Sequence, residues 1–373
     1  MLGGAVVNDE YYMRRALELA KRGEGWCSPN PMVGAVIVKD DEIIGEGWHE
    51  RCGEAHAERN ALARCGAEAR GATMYVTLEP CCHHGRQPPC TDAILAAGIA
   101  RVVVGSGDPN PLVAGRGVEI LRSHGVAVTE QVLEAECAAI NEVFFHYIRT
   151  DTPYVALKYA MTLDGKIAAY TGESKWITGE AAREHVHRLR HRYRGIMCGV
   201  GTVLADDPML TCRIPGGRDP VRIVCDSALR TPPESRIVRT ARSSPVIIAT
   251  LCADERRAEP YLAAGCEVVV LPERHGHVDL TALMAELGRR EIDSLLIEGG
   301  ATLNWSALEA GIVRRVYAYV APLLLGGASA KTPVAGRGFP SPGEGLRLEG
   351  ARTERLGEDI LIECEVRRTC SQA

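Results

Sequence analysis

The chain has no apolar run approaching the ~20 residues that cross a bilayer. Its opening, Met1 to Met13, carries neither a basic segment nor an apolar leader. A soluble, cytoplasmic protein is expected, with no membrane partner. Positive charge is not in excess either. The 43 Lys and Arg are outnumbered by 48 Asp and Glu, for a net charge of -5. That balance argues against a chain whose main business is gripping a nucleic-acid backbone. The 14 cysteines are scattered along the chain, without the spacing of a disulfide framework, so mostly reduced thiols are expected. There is no internal repeat, and the one biased stretch, Gly326 to Gly345, reads as loop.

The remaining composition is ordinary for a globular protein, 46% apolar and 24% charged over 373 residues. That length is too great for one comfortable core. Two domains are expected, 1–150 and 151–373, meeting near Arg149-Thr150-Asp151-Thr152-Pro153. Before that point, Val132 to Ile148 reads as one amphipathic helix; after it, Tyr154-Val155-Ala156-Leu157 reads as a buried strand.

The first half alternates helices and strands. Glu10 to Arg22 reads as a helix capped by Asn8-Asp9, with strands from Met32 to Val38 and Glu42 to Gly47 after it. Helices at His56–Cys65, Cys90–Ala97 and Gly117–His124 alternate with strands at Thr73–Leu78, Arg101–Val104 and Val126–Thr129. This order favours an α/β fold, a three-layer α/β/α arrangement.

His56-Ala57-Glu58, then Pro80-Cys81 and Cys90, is the richest feature. One His and two Cys give Zn²⁺ three ligands and leave a fourth tetrahedral position for water. Glu58 is not needed as a ligand and is free to take a proton from that water. His56 and Cys90 both open helices, whose positive ends favour thiolate over thiol. A structural site is the competing reading, if Cys82, His83 or His84 closes the coordination sphere. A non-catalytic zinc-stabilised scaffold and a nucleic-acid editing enzyme are the other classes weighed; the standing Glu58 speaks against the first and the acidic balance against the second.

His56-Ala57-Glu58-x-x-Ala61-Leu62, then Pro80-Cys81, eight residues, and Cys90 with Ile94 beyond, resembles the zinc signature of the cytidine and deoxycytidylate deaminase superfamily. Within that superfamily, the segment Thr77-Leu78-Glu79-Pro80-Cys81-Cys82-His83-His84-Gly85-Arg86-Gln87-Pro88-Pro89-Cys90 is most similar to the bifunctional riboflavin-biosynthesis deaminase/reductase branch. Asn30-Pro31-Met32-Val33-Gly34, Gly45-Glu46-Gly47-Trp48-His49 and Asp108-Pro109-Asn110-Pro111 match that branch too. Gln87 and Cys82 depart from its usual Thr and Ser. The resemblance implies a small phosphorylated diaminopyrimidinone as substrate, with Asn30, His49, His83 and Arg86 around its base and sugar phosphate.

The second half is again α/β. Strands are expected at Tyr154–Tyr159, Arg194–Cys198, Val221–Cys225, Val246–Ala249, Glu267–Leu271, Ser294–Ile297, Val316–Val320 and Asp359–Val366. Helices are expected at Gly179–His191 and Asp279–Arg290, and His185, His187 and His191 read as surface residues. Gly199-Val200-Gly201-Thr202 lacks the third Gly of a dinucleotide fingerprint, and Glu298-Gly299-Gly300 alone is a weak phosphate-cradle signal.

In order, Lys158-x-Ala160-x-x-Leu163-Asp164-Gly165-Lys166, Gly172-Glu173-Ser174-x-Trp176, Gly201-Thr202-Val203-x-Ala205-Asp206-Asp207-Pro208 and Glu298-Gly299-Gly300 resemble the reductase half of the same family. The resemblance implies a dihydrofolate-reductase-like fold, NADPH as hydride donor and reduction of a ribosyl group to ribityl. It places Ala160, Trp176, Thr202, Asp206 and Ser227 against the nucleotide, with Gly300, Ala301, Thr302, Leu303, Asn304, Trp305 and Ser306. Lys158, Ser174, Leu210, Arg190, Arg213 and Glu298 fall to the substrate, the two arginines as phosphate clamps. A homo-oligomer is expected.

Overall fold

The computed structural model describes residues 8–84 and 87–367. It forms two compact units, Met1–Asp151 and Thr152–Ala373. Among the described residues no helix is long and apolar enough to cross a membrane, and every cysteine is free.

The first unit begins with α1 (Asp9–Ala20), capped where the Asn8 side chain accepts from the Tyr11 amide. β1 (Gly34–Lys39), β2 (Glu42–Trp48), α2 (Ala57–Cys65), β3 (Thr73–Leu78), α3 (Cys90–Ala97), β4 (Arg101–Ser106), α4 (Arg116–Ser123) and β5 (Ala127–Thr129) follow. The sheet order is β2-β1-β3-β4-β5, with β1 antiparallel to both neighbours and β3, β4 and β5 parallel. Alternate side chains of β1 face opposite layers, as the two-residue strand period demands. Ala35 and Ile37 pack with Ala57 and Ala61 of α2, Ile94 of α3 and Leu121 of α4; Val36 and Val38 pack with Met13 and Ala16 of α1. The three-layer sandwich read from the sequence is the one observed.

β2 and α2 touch through backbone. A Cβ on Gly47 would stand 2.4 Å from the Ala57 carbonyl oxygen, so a larger residue would push away the start of the helix that carries Glu58.

The single helix expected over Val132 to Ile148 is two, α5 (Glu134–Ile140) and α6 (Glu142–Thr150). The break is Asn141, buried, whose side chain accepts from the Met32 amide at 2.8 Å and donates to the Met32 carbonyl at 2.9 Å. Helical periodicity carries no sign of a long-range contact of this kind.

In the second unit, β6 (Tyr154–Thr162), α7 (Glu180–Arg192), β7 (Gly195–Gly199), α8 (Val200–Asp206), β8 (Val221–Cys225), α9 (Arg236–Arg239), β9 (Val246–Thr250), α10 (Glu255–Ala264) and β10 (Glu267–Val270) come first. After the small hairpin β11 (Glu273–Arg274) and β12 (His277–Val278) come α11 (Leu280–Arg289), β13 (Ser294–Glu298), α12 (Ala301–Glu309), β14 (Val313–Ala321), β15 (Leu348–Leu356) and β16 (Asp359–Val366). The sheet order is β10-β9-β8-β7-β13-β6-β14-β16-β15, parallel through β14 and antiparallel at β16 and β15. One face packs on α11 and α12, the other on α8, α9 and α10. β15 escaped the sequence reading because eight of its nine residues are exposed, leaving no apolar alternation to detect.

Candidate functional site

Three elements of the first unit converge on one point. His56 is the residue just before α2, Cys90 opens α3, and Cys81 follows the end of β3. His56 Nδ1 lies 3.5 Å from Cys81 Sγ and 3.3 Å from Cys90 Sγ. All three donor atoms fall within 4.8 Å of one another. A tetrahedral zinc with bonds of ~2.1 Å to nitrogen and ~2.3 Å to sulfur requires a nitrogen–sulfur edge of about 3.5 Å. The donor set and its spacing therefore fit zinc. Cys82, His83 and His84 contribute no atom to this cluster. Cys82 instead turns to the Leu112 carbonyl at 3.6 Å, and the closed four-ligand alternative loses its support.

The electrostatics suit a cation. The Cys90 amide donates to Cys81 Sγ at 3.4 Å. The Cys90 thiol and the His56 imidazole hold the Cys81 thiolate down to about 4, while the negative Cys81 beside it keeps the buried Cys90 thiol well above the usual thiol range. Glu58 is 3% exposed; burial first, then the Cys81 charge, raises its carboxyl above the ordinary range. A carboxyl so placed is prepared to hold a proton.

His49 stacks edge-on to His56, ring centroids 5.3 Å apart, and is itself buried. Burial pushes its pKa down. Its Nδ1 donates to the Ala55 carbonyl at 3.1 Å, so Nε2 is the acceptor for Asn30 Nδ2 at 3.2 Å. That sequence of bonds fixes the Asn30 amide with Nδ2 turned to His49. Arg86 lies outside the described residues.

Glu79 was not singled out by the sequence reading. Its buried carboxylate accepts from the amides of Gly115 (2.9 Å), Gly117 (3.0 Å), Val118 (3.2 Å) and Asp108 (3.4 Å). It caps α4 from outside and ties that loop to the strand end leading into Cys81. Asp108, in the same loop, is pushed up to about 6 by burial and by the charges of Glu79 and Cys81.

In the second unit Lys158 on β6 and Glu298 on β13 are register partners, with Lys158 Nζ 3.5 Å from Glu298 Oε2. Arg190 on α7 meets the same carboxylate through Nε at 2.7 Å and Nη2 at 3.0 Å, and its Nη1 donates to the Thr211 carbonyl at 3.1 Å. Burial raises the carboxyl of Glu298, but Arg190 and then Lys158 overcome it and hold the pKa down to about 2. Burial also lowers the Lys158 ammonium.

The two glycine turns, each weak alone, lie together at the carboxyl ends of neighbouring strands β7 and β13. A Cβ on Gly300 would sit 3.9 Å from the Gly199 amide and 3.6 Å from Thr202 Oγ1. Ser174 donates to Asp206 at 3.2 Å, and Trp176 stands exposed under the Arg183 guanidinium. Ala160 lies on β6, Leu210 is buried at φ +55, and the Ser227 carbonyl accepts from Leu251 at 3.2 Å. On α12, Leu303, Asn304 and Trp305 are buried. Asn304 donates to the Pro333 carbonyl at 2.7 Å, and Trp305 packs edge-on to Phe339. Ser306 turns back to the Thr302 carbonyl.

The three histidines of α7 are not surface residues. His185 bonds the Tyr319 hydroxyl at 2.7 Å, His187 accepts from Arg213 Nε at 3.1 Å, and His191 accepts from the Arg218 amide at 2.9 Å. Their spacing read as a solvated face because the partners lie on distant segments.

Fold and site together define a two-part enzyme, a deaminase of zinc-binding type joined to a reductase. A family model described as the cytidine and deoxycytidylate deaminase zinc-binding region matches residues 6–106, and one described as the RibD C-terminal domain matches 153–362. The chain belongs to the RibD family of riboflavin biosynthesis proteins. It is 55% identical to the riboflavin biosynthesis protein RibD of Actinobacillus pleuropneumoniae over 96% of this chain and 95% of that one. Among solved structures, RibD of Acinetobacter baumannii superposes with a TM-score of 0.87 at 39% identity, covering 96% of this chain and 99% of that one. A Thermotoga maritima protein described as a diaminohydroxyphosphoribosylaminopyrimidine deaminase/5-amino-6-(5-phosphoribosylamino)uracil reductase gives 0.83 at 38% identity, with the same coverage of each chain. The chain is a bifunctional enzyme of riboflavin biosynthesis, a hydrolase and an oxidoreductase.

Proposed function

We propose that residues 1–150 hydrolyse the ring amino group of 2,5-diamino-6-(5-phosphoribosylamino)pyrimidin-4-one, and that residues 151–373 use NADPH to reduce the ribosyl group of the product to ribityl. The observation that carries the first half is the His56, Cys81 and Cys90 donor triangle with Glu58 buried beside it. Zinc, when bound there, supplies a water acidic enough to ionise near neutral pH. Glu58 takes that proton on its carboxylate and delivers it to the departing amino group, which leaves as ammonia while the ring carbon gains oxygen. Asn30, its Nδ2 committed to His49, keeps Oδ1 for a donor on the pyrimidine edge. His83 and Arg86 are assigned to the sugar-phosphate side.

For the second half, NADPH supplies the hydride when bound. The paired glycine turns at Gly199 and Gly299-Gly300 leave backbone room for its diphosphate, with Ala160, Trp176, Thr202, Asp206, Ser227 and the start of α12 as its neighbours. Asn304 Nδ2 and the Trp305 ring are engaged within the fold, which leaves Asn304 Oδ1 and the backbone of this turn for the nucleotide. Lys158, held between Glu298 and the Tyr319 ring, offers its ammonium to a sugar oxygen, beside Ser174, Leu210 and Arg213. The enzyme is read as cytoplasmic and homo-oligomeric. The long exposed edge strand β15 supports the latter, since an uncovered edge invites pairing.

The test supplies the diaminopyrimidinone and follows ammonia and NADPH absorbance together, with and without a chelator. Chelation should stop ammonia release, and NADPH oxidation should resume when the deaminated intermediate is added. Ammonia release that continues in metal-free protein would overturn the reading.

A further inference from the structure

Two arginines stand beside the reductase site, and their bonding differs in kind. Arg190 is bonded mainly inside the protein. Its side chain is 13% exposed, two of its nitrogens are paired with Glu298 and the third serves Thr211. Its charge is offset by a carboxylate that it shares with Lys158, and three of its five N–H donors are used inside the protein. Arg213 is exposed and makes no ion pair among the described residues. Its Nε–H donates to His187 Nε2 at 3.1 Å. That bond needs the imidazole lone pair, and a neutral ring orients a guanidinium without cancelling its charge, as a carboxylate would. It also occupies Nε, leaving the Nη1–Nη2 edge for a bidentate contact.

We propose that His187 is a positioning residue of the reductase, its neutral imidazole aiming the terminal edge of Arg213 at the phosphate of the substrate, and that Arg190 instead braces Glu298. The inference rests on the reading of Arg213 as a substrate contact. Burial, with Arg190 and Arg213 close by, pushes the His187 imidazole down to about 4, against the charge of Glu298 and a hydrogen bond to the Thr211 backbone. The neutral form needed by the geometry is thus the resting form at neutral pH.

The imidazole is not the only anchor of the loop that bears Arg213. That loop is also held to α7 by the Arg190 bond to Thr211 and by Cys212 Sγ to the His187 carbonyl at 3.5 Å, and it is braced internally by the Cys212 amide to Asp219 at 2.8 Å. Replacing the ring therefore removes the aim and leaves the Arg190 and Cys212 anchors of the loop in place.

The experiment measures reductase kinetics of the full chain with 5-amino-6-(5-phosphoribosylamino)uracil and with its dephosphorylated counterpart. The variants are His187→Phe, His187→Gln, Arg213→Ala and the double variant His187→Phe/Arg213→Ala. A hydrogen bond to a charged group is worth about tenfold or more. His187→Phe should raise KM for the phosphorylated substrate about tenfold with kcat little changed, and should not affect the dephosphorylated one. His187→Gln, which restores an acceptor, should return KM towards the parent value. The double variant should be no worse than Arg213→Ala. If Arg213→Ala raises KM while His187→Phe does not, or if the two effects multiply, the positioning role falls and the phosphate contact stands. If Arg213→Ala leaves KM unchanged, the phosphate contact falls and takes the inference with it.

Discussion

Glu298 accepts two hydrogen bonds from one guanidinium, Arg190 Nε at 2.7 Å and Nη2 at 3.0 Å, while Lys158 approaches the same carboxylate at 3.5 Å. Two cations on one buried anion make this site sensitive to acid. The carboxyl is held down to about 2, against ~4.3 in an unfolded chain. A depressed pKa stabilises the fold above the unfolded value and loses that stabilisation as pH falls through the folded one. The contribution is about 3 kcal/mol. Denaturant unfolding of the second unit should therefore weaken from about pH 4.3 downwards to about 2. Glu298→Gln should be less stable at pH 7, by about 3 kcal/mol or more, because it strands Arg190, and its acid slope should be shallower. Identical slopes for parent and variant would refute the assignment.

Glu58→Gln removes the proton acceptor and leaves His56, Cys81 and Cys90 in place. Zinc content by atomic absorption should be unchanged, and ammonia release should fall by a factor of about 10² to 10⁴. Reduction of the deaminated intermediate should proceed at the parent rate. A variant that still released ammonia normally would remove Glu58 from the chemistry.

Gly117 packs where a side chain cannot. A Cβ there would lie 2.2 Å from the Pro80 carbonyl oxygen and 3.2 Å from Glu79 Oε1. Gly117→Ala should displace the strand end next to Cys81, and an overpacked junction costs about 1–3 kcal/mol. Glu79→Ala, which frees four amides at once, should act on the same joint. Both variants should give up zinc to a chelator faster than the parent. Zinc retention equal to the parent would show that the joint does not set the metal loop.

Asn30→Asp replaces the amide that His49 Nε2 faces with a group that cannot donate to it. The Asn30 bond at 3.2 Å should be lost, and KM for the diaminopyrimidinone should rise about tenfold, with zinc content held. An unchanged KM would take Asn30 out of the pyrimidine pocket.

The sequence displayed the candidate metal ligands because His56, Cys81 and Cys90 are a chemically rare combination, and each sits close to where a helix or strand begins or ends. It displayed the layered architecture because burial on a strand or helix face imposes a period. It hid whatever depends on contacts between distant segments. Asn141 breaks a helix through a bond to Met32, 109 positions away. The four amides under Glu79 come from the loop before α4 and the first turn of that helix, 29 to 39 positions on. The histidines of α7 looked solvated because periodicity records the spacing of residues and not the identity of their neighbours. The glycine turns at Gly199 and Gly300 were each too common to mean much until adjacent strands brought them together.

Residue chemistry alone pointed to a three-donor metal site with a spare carboxylate, and the alternation of elements to a second α/β half; only a family resemblance marked that half as a reductase. Only the tertiary structure decided which charges are already spoken for. Arg190 and Arg213 are the same residue type in the same region. One is paired with a buried carboxylate and the other is held by a neutral ring, and that difference arises from what the fold places within hydrogen-bond reach of each guanidinium. Electrostatic work depends on distance and surroundings, and neither is written in the order of the residues.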